Sequence, residues 1–261
     1  MTAATAATTT SQPTPRRVTH GPTLHQVSTG TLASTGTVQQ LCKALGVDRD
    51  AMRGWDDLAA TRPKLRKGAT LFHAGDRSSS LYAIRAAACK TVLSTEDGEE
   101  AVAAYYIAGD IIGIDGLCEE RHGYRAIALE DTELCAIPFE RLRSLACADG
   151  TFQHTLHRML AREISRARKV LMLGKMRAEQ RLASFLLEVA RRNQALGYSS
   201  TEFILRMTRE EIGSYLGVTL ETVSRLFSRF DQLGIIEVHG RTIKVLDRCP
   251  LQRMVSLSAL N

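Results

Sequence analysis

The sequence predicts an α+β protein: an antiparallel β-roll, then one long helix, then a small helical domain that ends in a β-hairpin. Three observations support this prediction. Short β-branched and apolar runs, separated by turn residues, fill residues 63–138. From about Phe139 the apolar residues change from alternation to a helical spacing of about 3.6 residues. Residues 208–245 then carry signals for a helix, a turn, a helix and two strands in close succession.

The chain divides into five predicted segments. They are a disordered N-terminal segment (1–41), the β-roll (42–150), the long helix (151–176), the helical domain with its hairpin (177–250) and a C-terminal tail (251–261). The first segment is rich in Thr, Ala, Ser and Gly, so it buries too little apolar surface to offset the entropy that is lost on ordering.

The composition predicts a globular protein of the cytoplasm. Its 261 residues are 44% hydrophobic and 24% charged, the balance of an ordinary globular protein. No apolar run approaches the roughly 18 residues that a membrane helix needs, and residues 1–30 lack the apolar core of a secretory signal. The net charge of +6 permits nucleic acid binding, but a solvated basic surface would give the same value.

The β-roll is predicted from a series of short strands. They lie at residues 70–72, 81–84, 91–93, 102–107, 111–112, 126–129 and 134–137. Turn residues separate them, and the tripeptide Ala-Gly-Asp occurs at both 74–76 and 108–110. A turn that repeats between short strands is typical of an antiparallel β-roll or jelly-roll barrel.

An apolar stripe runs along the predicted long helix at three- and four-residue spacing. Its members are Leu156, Leu160, Ile164, Ala167 and Leu171. Such a stripe packs either against the same stripe of a second copy or against the β-roll of its own chain, and the spacing favours neither. The face left exposed is predicted to be basic, with Arg158, Arg162, Arg166, Arg168 and Lys169.

Two short helices that cross at a tight turn are predicted near the C-terminus. Thr208 and Glu211 form a capping box that opens the first helix. Gly217 supplies the turn, and Thr219 caps the second helix. Gly213 is small where the two helices approach each other closely. This order of signals is typical of a helix-turn-helix.

A polar face on the second helix predicts contact with DNA bases, and a hairpin at 235–245 predicts the wing of a winged helix domain. The three predicted base readers are Glu221, Ser224 and Arg225, which suit base edges by their hydrogen-bonding groups. The predicted contacts to the DNA backbone are Thr208, Arg209, Thr219, Thr222, Ser228, Arg241 and Lys244. Two alternatives stay open: Glu221 and Arg225 form only a surface ion pair, and the two wing cations are only solvated.

Four motifs carry a more specific resemblance. They are Thr-Leu-Phe-His-Ala-Gly-Asp at 70–76, Ser-Leu-Tyr-Ala-Ile-Arg at 80–85, Cys-Ala-Ile-Pro-Phe at 135–139 and Thr-Arg-Glu-Glu-Ile-Gly-Ser-Tyr-Leu-Gly-Val-Thr-Leu-Glu-Thr-Val-Ser-Arg at 208–225. Together they resemble the FNR branch of the CRP/FNR family, the anaerobic regulators, over about residues 41–248. The resemblance implies a cyclic-nucleotide-binding-like β-roll as sensor, a dimerisation helix and a winged helix-turn-helix DNA-binding domain.

The same resemblance implies a function and its partners. The chain is expected to be a homodimer that binds double-stranded DNA at a palindromic operator, with TTGA-type half-sites read by Glu221, Ser224 and Arg225. Regulators that look like this usually activate transcription by contacting RNA polymerase, and the loop at 95–100 is the candidate contact. No enzymatic activity is expected, because the chain has no P-loop, nucleophile elbow or metalloprotease motif.

The sensor of the FNR branch matches this chain only in part. The resemblance implies an oxygen-labile [4Fe–4S] cluster held by four cysteines, and Cys42 and Cys135 match two of them. Residues 1–41, where two further ligands are expected, contain no cysteine. We therefore expect no cluster of the family type; a cluster that does form needs a different ligand set, for which Cys118 or Cys89 is a candidate.

A second departure concerns dimerisation. FNR proteins carry an acidic residue in the dimer helix, whose charge opposes pairing until the cluster forms. The matching position here is Arg166 or Ala167, and neither is acidic. The hypothesis is that this chain dimerises without a cluster, either constitutively or in response to another signal.

The effector is left open by the sequence. We expect no cAMP binding, because His122-Gly123 stands where the cAMP-responsive relatives carry Arg-Ser, although Arg121 and Arg125 are close enough for an altered anion site. The alternative function is a ligand-, haem- or thiol-sensing version of the same scaffold that mainly represses, with the oxygen-sensing cluster lost. The histidines of the chain are candidate haem ligands, and thiol sensing requires an exposed cysteine of low pKa. The candidate thiols are Cys42, Cys118 and Cys135.

Overall fold

The computed structural model describes residues 61–94, 97–148 and 150–256. In chain order the strands are β1 (Lys64–Leu65), β2 (Thr70–Phe72), β3 (Ser80–Ala86), β4 (Ala88–Ser94), β5 (Glu100–Ile107), β6 (Ile111–Ile112), β7 (Arg125–Ala128), β8 (Thr132–Pro138), β9 (Glu202–Ile204), β10 (Ile236–His239) and β11 (Thr242–Val245). The helices are α1 (Gly116–Glu119), α2 (Phe139–Ala148), α3 (Gly150–Leu173), α4 (Ala178–Leu196), α5 (Arg209–Leu216), α6 (Leu220–Gln232) and α7 (Arg248–Ser256). The predicted disordered segment 1–41, Cys42 and residues 95–96 of the predicted polymerase loop lie outside the described residues.

Two four-stranded antiparallel sheets form the β-roll, with strand orders β1-β8-β3-β6 and β2-β7-β4-β5. Side chains from both sheets meet in a buried core that includes Ile84 and Tyr106. Strand β3 alternates, with Tyr82 and Ile84 at this core and Leu81 and Ala83 packed with α2 and α3. The predicted β-roll is confirmed, and each predicted strand is present. β1 and α1 were not predicted, because elements of two and four residues are too short to show a periodic pattern.

The repeated Ala-Gly-Asp tripeptide forms the same turn in both places. The Asp76 carboxylate accepts a hydrogen bond of 2.8 Å from the backbone N–H of His73, and the Asp110 carboxylate accepts one of 2.8 Å from that of Ile107. The central Gly109 has a φ of +89°, a left-handed conformation that favours glycine. The second copy brings Asp110 to the edge of the β-roll that contacts α3 and α4.

Helix α3 packs on the β-roll with one face only. Phe152, Thr155 and Met159 are buried on that face. The helix ends at Leu173 and not at the predicted residue 176, because the N–H groups of residues 174–176 bond carbonyl oxygens three positions back in a tight turn. Helix α4 then begins the second group of packed elements.

The second domain combines helices α4 to α7 with the small sheet β10-β11-β9. Its buried core includes Leu186, Ile212, Phe230 and Ile243. The predicted helix-turn-helix and hairpin are confirmed. Strand β9, which pairs with β11 and completes the sheet, was not predicted, because three residues with one buried side chain give a weak pattern.

The predicted boundary of the C-terminal tail is wrong, since residue 251 lies inside α7. The Asp247 side chain accepts a hydrogen bond of 2.9 Å from the Cys249 N–H and so opens the helix. Pro250 stands in the first turn, where its missing N–H has no intrahelical partner to lose. Leu251 is fully buried, and α7 packs against α4, so the domain extends to Ser256.

Candidate nucleic-acid interface

Helix α5 begins at the predicted capping box. The Thr208 hydroxyl accepts a hydrogen bond of 3.1 Å from the Glu211 N–H, and the Glu211 carboxylate accepts one of 2.7 Å from the Thr208 N–H. Gly217 ends the helix with a φ of +64°, and its N–H bonds the last carbonyl groups of α5. Both predicted ends of this helix are therefore confirmed.

Gly213 lies where α5 meets the start of α6. A Cβ atom at this position would lie 2.7 Å from the carbonyl oxygen of Val218 and 3.4 Å from the backbone nitrogen of Leu220. These backbone atoms cannot rotate away, so Gly213→Ala is expected to lower the free energy of unfolding by about 1–3 kcal/mol. Thermal unfolding measures the loss, with Gly150→Ala as the control, because a Cβ there meets nothing within 4 Å. Equal melting temperatures for the two variants would contradict the close approach.

Helix α6 buries an apolar side and presents a polar side to solvent. The buried residues are Val223, Leu226, Phe227 and Phe230. The Thr219 hydroxyl caps the helix by accepting a hydrogen bond of 3.2 Å from the Thr222 N–H. On the polar side, the Glu221 and Arg225 side chains are 85% and 76% exposed, and Ser224 is exposed as well. The structure therefore brings the three predicted base readers together on one open face of one helix.

The ion pair between Glu221 and Arg225 is loose. Arg225 Nη2 lies 3.9 Å from Glu221 Oε2, a distance too long for a hydrogen bond. An exposed pair of this kind contributes only about 0.3–0.5 kcal/mol to stability. The pair thus orients the Arg225 guanidinium weakly and leaves its N–H groups able to donate to another acceptor.

Strands β10 and β11 form the predicted wing, with Gly240 at its turn. The Lys244 ammonium group is exposed and lies 3.4 Å from the Glu237 carboxylate. The other oxygen of Glu237 lies 2.9 Å from His239 Nε2. Because this cluster is exposed, the Lys244 ammonium group can leave the Glu237 carboxylate and pair with a phosphate group.

Two of the arginines predicted to contact the DNA backbone also bond within the domain. The Arg241 guanidinium donates to the carbonyl oxygens of residues 205–206. The Arg209 guanidinium lies 3.4 Å from the centroid of the Phe227 ring and donates to the Gly240 carbonyl at 3.3 Å. Burial lowers the pKa of Arg209 to about 10, so the group stays positively charged at neutral pH. Arg209 therefore joins α5 to the turn of the wing, and Arg241 joins the wing to the segment between β9 and α5.

The β4–β5 hairpin contacts α5 through polar bonds that were not predicted. Lys90 Nζ lies 2.7 Å from Glu211 Oε1, and the Val102 N–H donates to Ser214 Oγ at 2.9 Å. Burial would raise the pKa of the Glu211 carboxyl, but hydrogen bonds from Lys90 and from the Thr208 backbone lower it overall. One carboxylate thus serves the capping box and the β-roll, so the two domains touch at the first helix of the helix-turn-helix.

Arg181 on α4 joins two further parts of the chain. Its guanidinium donates to the carbonyl oxygens of Leu216 and Gly217 at 2.8 and 3.1 Å, at the end of α5. It also donates to the carbonyl oxygens of Gly174 and Met176 at 3.2 and 2.9 Å, just after α3. Arg181 therefore links the end of the long helix to the turn of the helix-turn-helix, and no local pattern in the sequence signals this role.

Comparison with known proteins agrees with this arrangement. A family model described as a Crp-like helix-turn-helix domain matches residues 180–254, and one described as a cyclic nucleotide-binding domain matches residues 62–149. The chain is 40% identical to the transcriptional regulatory protein btr of Bordetella pertussis over 216 residues, which cover 82% of this chain and 89% of btr. This chain belongs to the CRP/FNR family.

Other members of the CRP/FNR family match over similar lengths. The chain is 39% identical to the transcriptional activator protein FnrA of Stutzerimonas stutzeri over 208 residues, covering 79% of this chain and 85% of FnrA. The solved structure of FixK2 from Bradyrhizobium japonicum is 30% identical, with a TM-score of 0.69, and the match covers 74% of this chain and 96% of FixK2. The family regulates transcription and its members are not enzymes, so the predicted DNA-binding regulator without catalytic function is confirmed.

No helix within the described ranges is both long enough and apolar enough to cross a membrane.

The predicted apolar stripe of this CRP/FNR chain is uncovered in a single copy. Ile164 and Leu171 are 55% and 75% exposed, Ala167 is exposed, and Leu156 and Leu160 are partly buried. The β-roll is packed against a neighbouring face of α3, which carries Phe152 and Met159. Of the two packings that the sequence left open, the structure therefore favours a second copy of the chain.

Arg166 does not lie on the exposed basic face to which the sequence assigned it. Its side chain is only 28% exposed, and Arg166 Nη2 lies 2.6 Å from Asp110 Oδ1 on the β-roll. The predicted basic face wrongly included Arg166. This residue lies on the same side of α3 as Met159, which packs on the β-roll. The other residue matching the acidic position of FNR proteins, Ala167, lies in the exposed stripe.

The described residues do not fit an FNR-type iron–sulfur cluster. Cys135 is buried among apolar side chains of the β-roll, α2 and α3, whereas Cys118 is exposed on α1. Cys89 is buried between the sheets, where burial raises its pKa to about 12 and disfavours the thiolate that binds iron. Among the described residues, no group of three or more His, Cys, Asp or Glu side chains is placed to hold a metal ion.

The β-roll also fits the phosphate of a cyclic nucleotide poorly. His122 is buried, and the N–H of Gly123 donates to the Asp115 carboxylate at 2.8 Å, so an acidic side chain already fills this anion-binding position. The Arg121 guanidinium donates to a backbone carbonyl at 2.7 Å, and Arg125 pairs with a glutamate. Arg121 and Arg125 are therefore both engaged within the protein, while Arg125 Nε is buried without a hydrogen-bond partner among the described residues.

Proposed function

We propose that this CRP/FNR-family chain is a homodimer that reads a palindromic operator with TTGA-type half-sites. The observation that carries the proposal is the exposed polar face of α6 opposite its buried apolar side. Two such helices, related by a twofold axis, enter successive major grooves about 34 Å apart. A binding titration with a TTGA-type palindrome and with a duplex whose half-sites are altered tests the proposal, and equal affinities would contradict it.

Each base reader has a distinct role in this proposal. Arg225 donates two hydrogen bonds to O6 and N7 of a guanine. Glu221 accepts a hydrogen bond from the amino group of a cytosine or adenine, and Ser224 bonds or packs against a neighbouring base edge. The hydroxyl groups of Thr208, Thr219, Thr222 and Ser228 remain candidates for contacts to the DNA backbone, which fix the helix in the groove.

Lys244 supplies the phosphate contact of the wing. Lys244→Ala is expected to weaken binding to all sequences by a similar factor, because a phosphate contact carries no base information. It should also lower the slope of log K against log salt by about 0.9 per chain, since about one fewer counterion is released. Titrations at several salt concentrations measure both effects, with Lys67→Ala as a control on the exposed surface of the β-roll. A changed operator preference with an unchanged slope would mean that Lys244 does not contact phosphate.

We infer that the dimer forms through the stripe on α3 without an iron–sulfur cluster. Two observations support this inference: the stripe is exposed in one chain, and residues 1–41 contain no cysteine. Neither Arg166 nor Ala167 adds a negative charge that would oppose pairing. Dimerisation is therefore expected in metal-free buffer.

RNA polymerase is the proposed partner for activation. The support is the name of the relative FnrA, a transcriptional activator, together with the exposure of residues 97–99 in the β4–β5 loop. An exposed loop at the rim of the β-roll can reach a neighbouring protein on the same DNA. The proposed place of action is the cytoplasm, where operator DNA and polymerase meet.

A further inference from the structure

The β-roll and the DNA-binding domain share one apolar core at the first helix of the helix-turn-helix. Helix α5 packs against strand β5 of the β-roll. Val102 of β5 is buried in the same cluster of apolar side chains as Ile212 and Leu216 of α5. Apolar contacts are not directional, so this core holds the two domains together without fixing the angle between them. That angle therefore depends on the polar bonds at the same contact.

Two polar bonds join α5 to the β4–β5 hairpin at points one helical turn apart. The Lys90 ammonium group donates to Glu211 Oε1 at 2.7 Å, and the Val102 N–H donates to Ser214 Oγ at 2.9 Å. Glu211 and Ser214 are three residues apart, so they lie on the same face of α5. Hydrogen bonds weaken steeply when they are stretched or bent, so these two resist both sliding and rotation of the helix.

The position of Lys90 is itself fixed within a sheet. Lys90 lies in β4, the strand that pairs with β5 on one side and with β7 on the other. Its side chain is only 17% exposed, and that of Glu211 is only 20% exposed. A pair so far out of solvent is screened by salt much less than an exposed pair. The bond from Lys90 to Glu211 is therefore a firm point of attachment between the two domains.

The orientation of α5 determines the orientation of α6. The N–H of Val218 donates to the Gly213 carbonyl at 2.9 Å, and the close approach at Gly213 leaves no room for a Cβ atom. The two helices therefore turn as one unit, with the polar face of α6 at a fixed angle to α5. A bond from the β-roll to α5 thus sets the direction in which the base readers of α6 point.

We propose that Lys90 is a positioning residue that sets the half-site spacing accepted by the dimer. This inference rests on the proposed function, because spacing matters only to a dimer on a palindromic operator. One added base pair moves a half-site by about 3.4 Å and turns it by about 35° around the duplex axis. A dimer whose α6 helices are held in fixed directions loses contacts on such a site. Without the bond from Lys90, α5 and α6 can turn together on the apolar core and follow the displaced half-site.

The test is a binding titration of the full chain with palindromic TTGA-type duplexes that differ only in the spacer between the half-sites. The unmodified chain is expected to bind its preferred spacer at least about tenfold more tightly than a spacer one base pair longer or shorter. Lys90→Met keeps the apolar stem of the side chain but removes its charge, so it should reduce this preference to about threefold or less. The preference for a matched half-site over a single-base mismatch should stay, because α6 keeps its base readers.

Three further variants make the test specific to the bond between Lys90 and Glu211. Glu211→Gln should broaden the accepted spacing as Lys90→Met does, because glutamine still accepts the hydrogen bond of the capping box but offers Lys90 no negative charge. Lys90→Arg retains a cation and should retain the spacing preference. Lys64→Met is the matched control, since it removes a lysine from an ion pair of 2.9 Å with Glu133 that lies entirely within the β-roll.

Four results would overturn the role of Lys90. They are an unmodified chain that binds TTGA-type half-sites equally well at every spacing, an unchanged preference in both Lys90→Met and Glu211→Gln, an equal broadening in Lys64→Met, and a loss of mismatch discrimination in Lys90→Met. The last result would mean that Lys90 supports the structure of α6 and not its direction. The proposed function fails by a different result, an unmodified chain that shows no preference for TTGA-type half-sites at any spacing.

Discussion

Replacing Arg225 with alanine is expected to remove most of the preference for a TTGA-type half-site over a single-base mismatch. The expected loss is about 1–3 kcal/mol per half-site, because a bidentate contact from arginine to guanine discriminates between bases by this amount. Affinity for unrelated DNA should change little. The measurement is the ratio of affinities for the matched and mismatched duplexes, at one salt concentration, for the variant and the unmodified chain.

Arg143→Ala is the matched control for this experiment. Arg143 on α2 has a side chain that is 73% exposed, close to the 76% of Arg225, and it pairs with a glutamate at 3.5 Å. The control therefore removes the same charge and a similar exposed surface far from α6. If Arg225→Ala and Arg143→Ala show the same preference for the matched duplex over the mismatched one, Arg225 does not read a base. Its loose ion pair with Glu221 is then its only role.

Ile164→Glu is expected to convert the dimer into a monomer at micromolar concentration. Two isoleucines, one from each chain, would lose about 1.5–3 kcal/mol of burial each, and two carboxylates would meet in an apolar seam. The dissociation constant should therefore rise by at least about 100-fold. Because Ile164 is 55% exposed in a single chain, the substitution should leave the fold of the monomer intact. Sedimentation velocity in metal-free buffer measures the effect.

Ala161→Glu serves as the control for the dimer experiment. Ala161 is also exposed on α3, but helical geometry places it about 60° around the helix axis from Ile164, the nearest member of the stripe, and so at the edge outside the stripe. It adds the same charge without entering the seam. A monomeric unmodified chain would contradict dimerisation without a cluster, and a dimeric Ile164→Glu variant would place the seam elsewhere.

Features that depend on near neighbours in the chain were predictable from the sequence. The capping box of Thr208 and Glu211, the turn at Gly217 and the two Ala-Gly-Asp turns involve partners only a few residues apart. The polar face of α6 followed from helical spacing alone. Helix α7 was missed because Leu251 is its one fully buried residue among the described positions, so spacing gave little signal there.

Contacts between distant segments were not predictable. The bonds of Lys90 to Glu211 and of Arg166 to Asp110 join residues 121 and 56 positions apart. The bonds of Arg241 and Arg209 within the domain likewise depend on tertiary packing, so no local pattern in the sequence signals them.

The most direct test of the account is a titration of the metal-free chain, treated with a chelator, against a palindromic TTGA-type duplex. We expect two chains per duplex and an affinity at least about 10³-fold above that for a duplex with altered half-sites. Binding that requires a reconstituted iron–sulfur cluster, or an equal affinity for both duplexes, would contradict it.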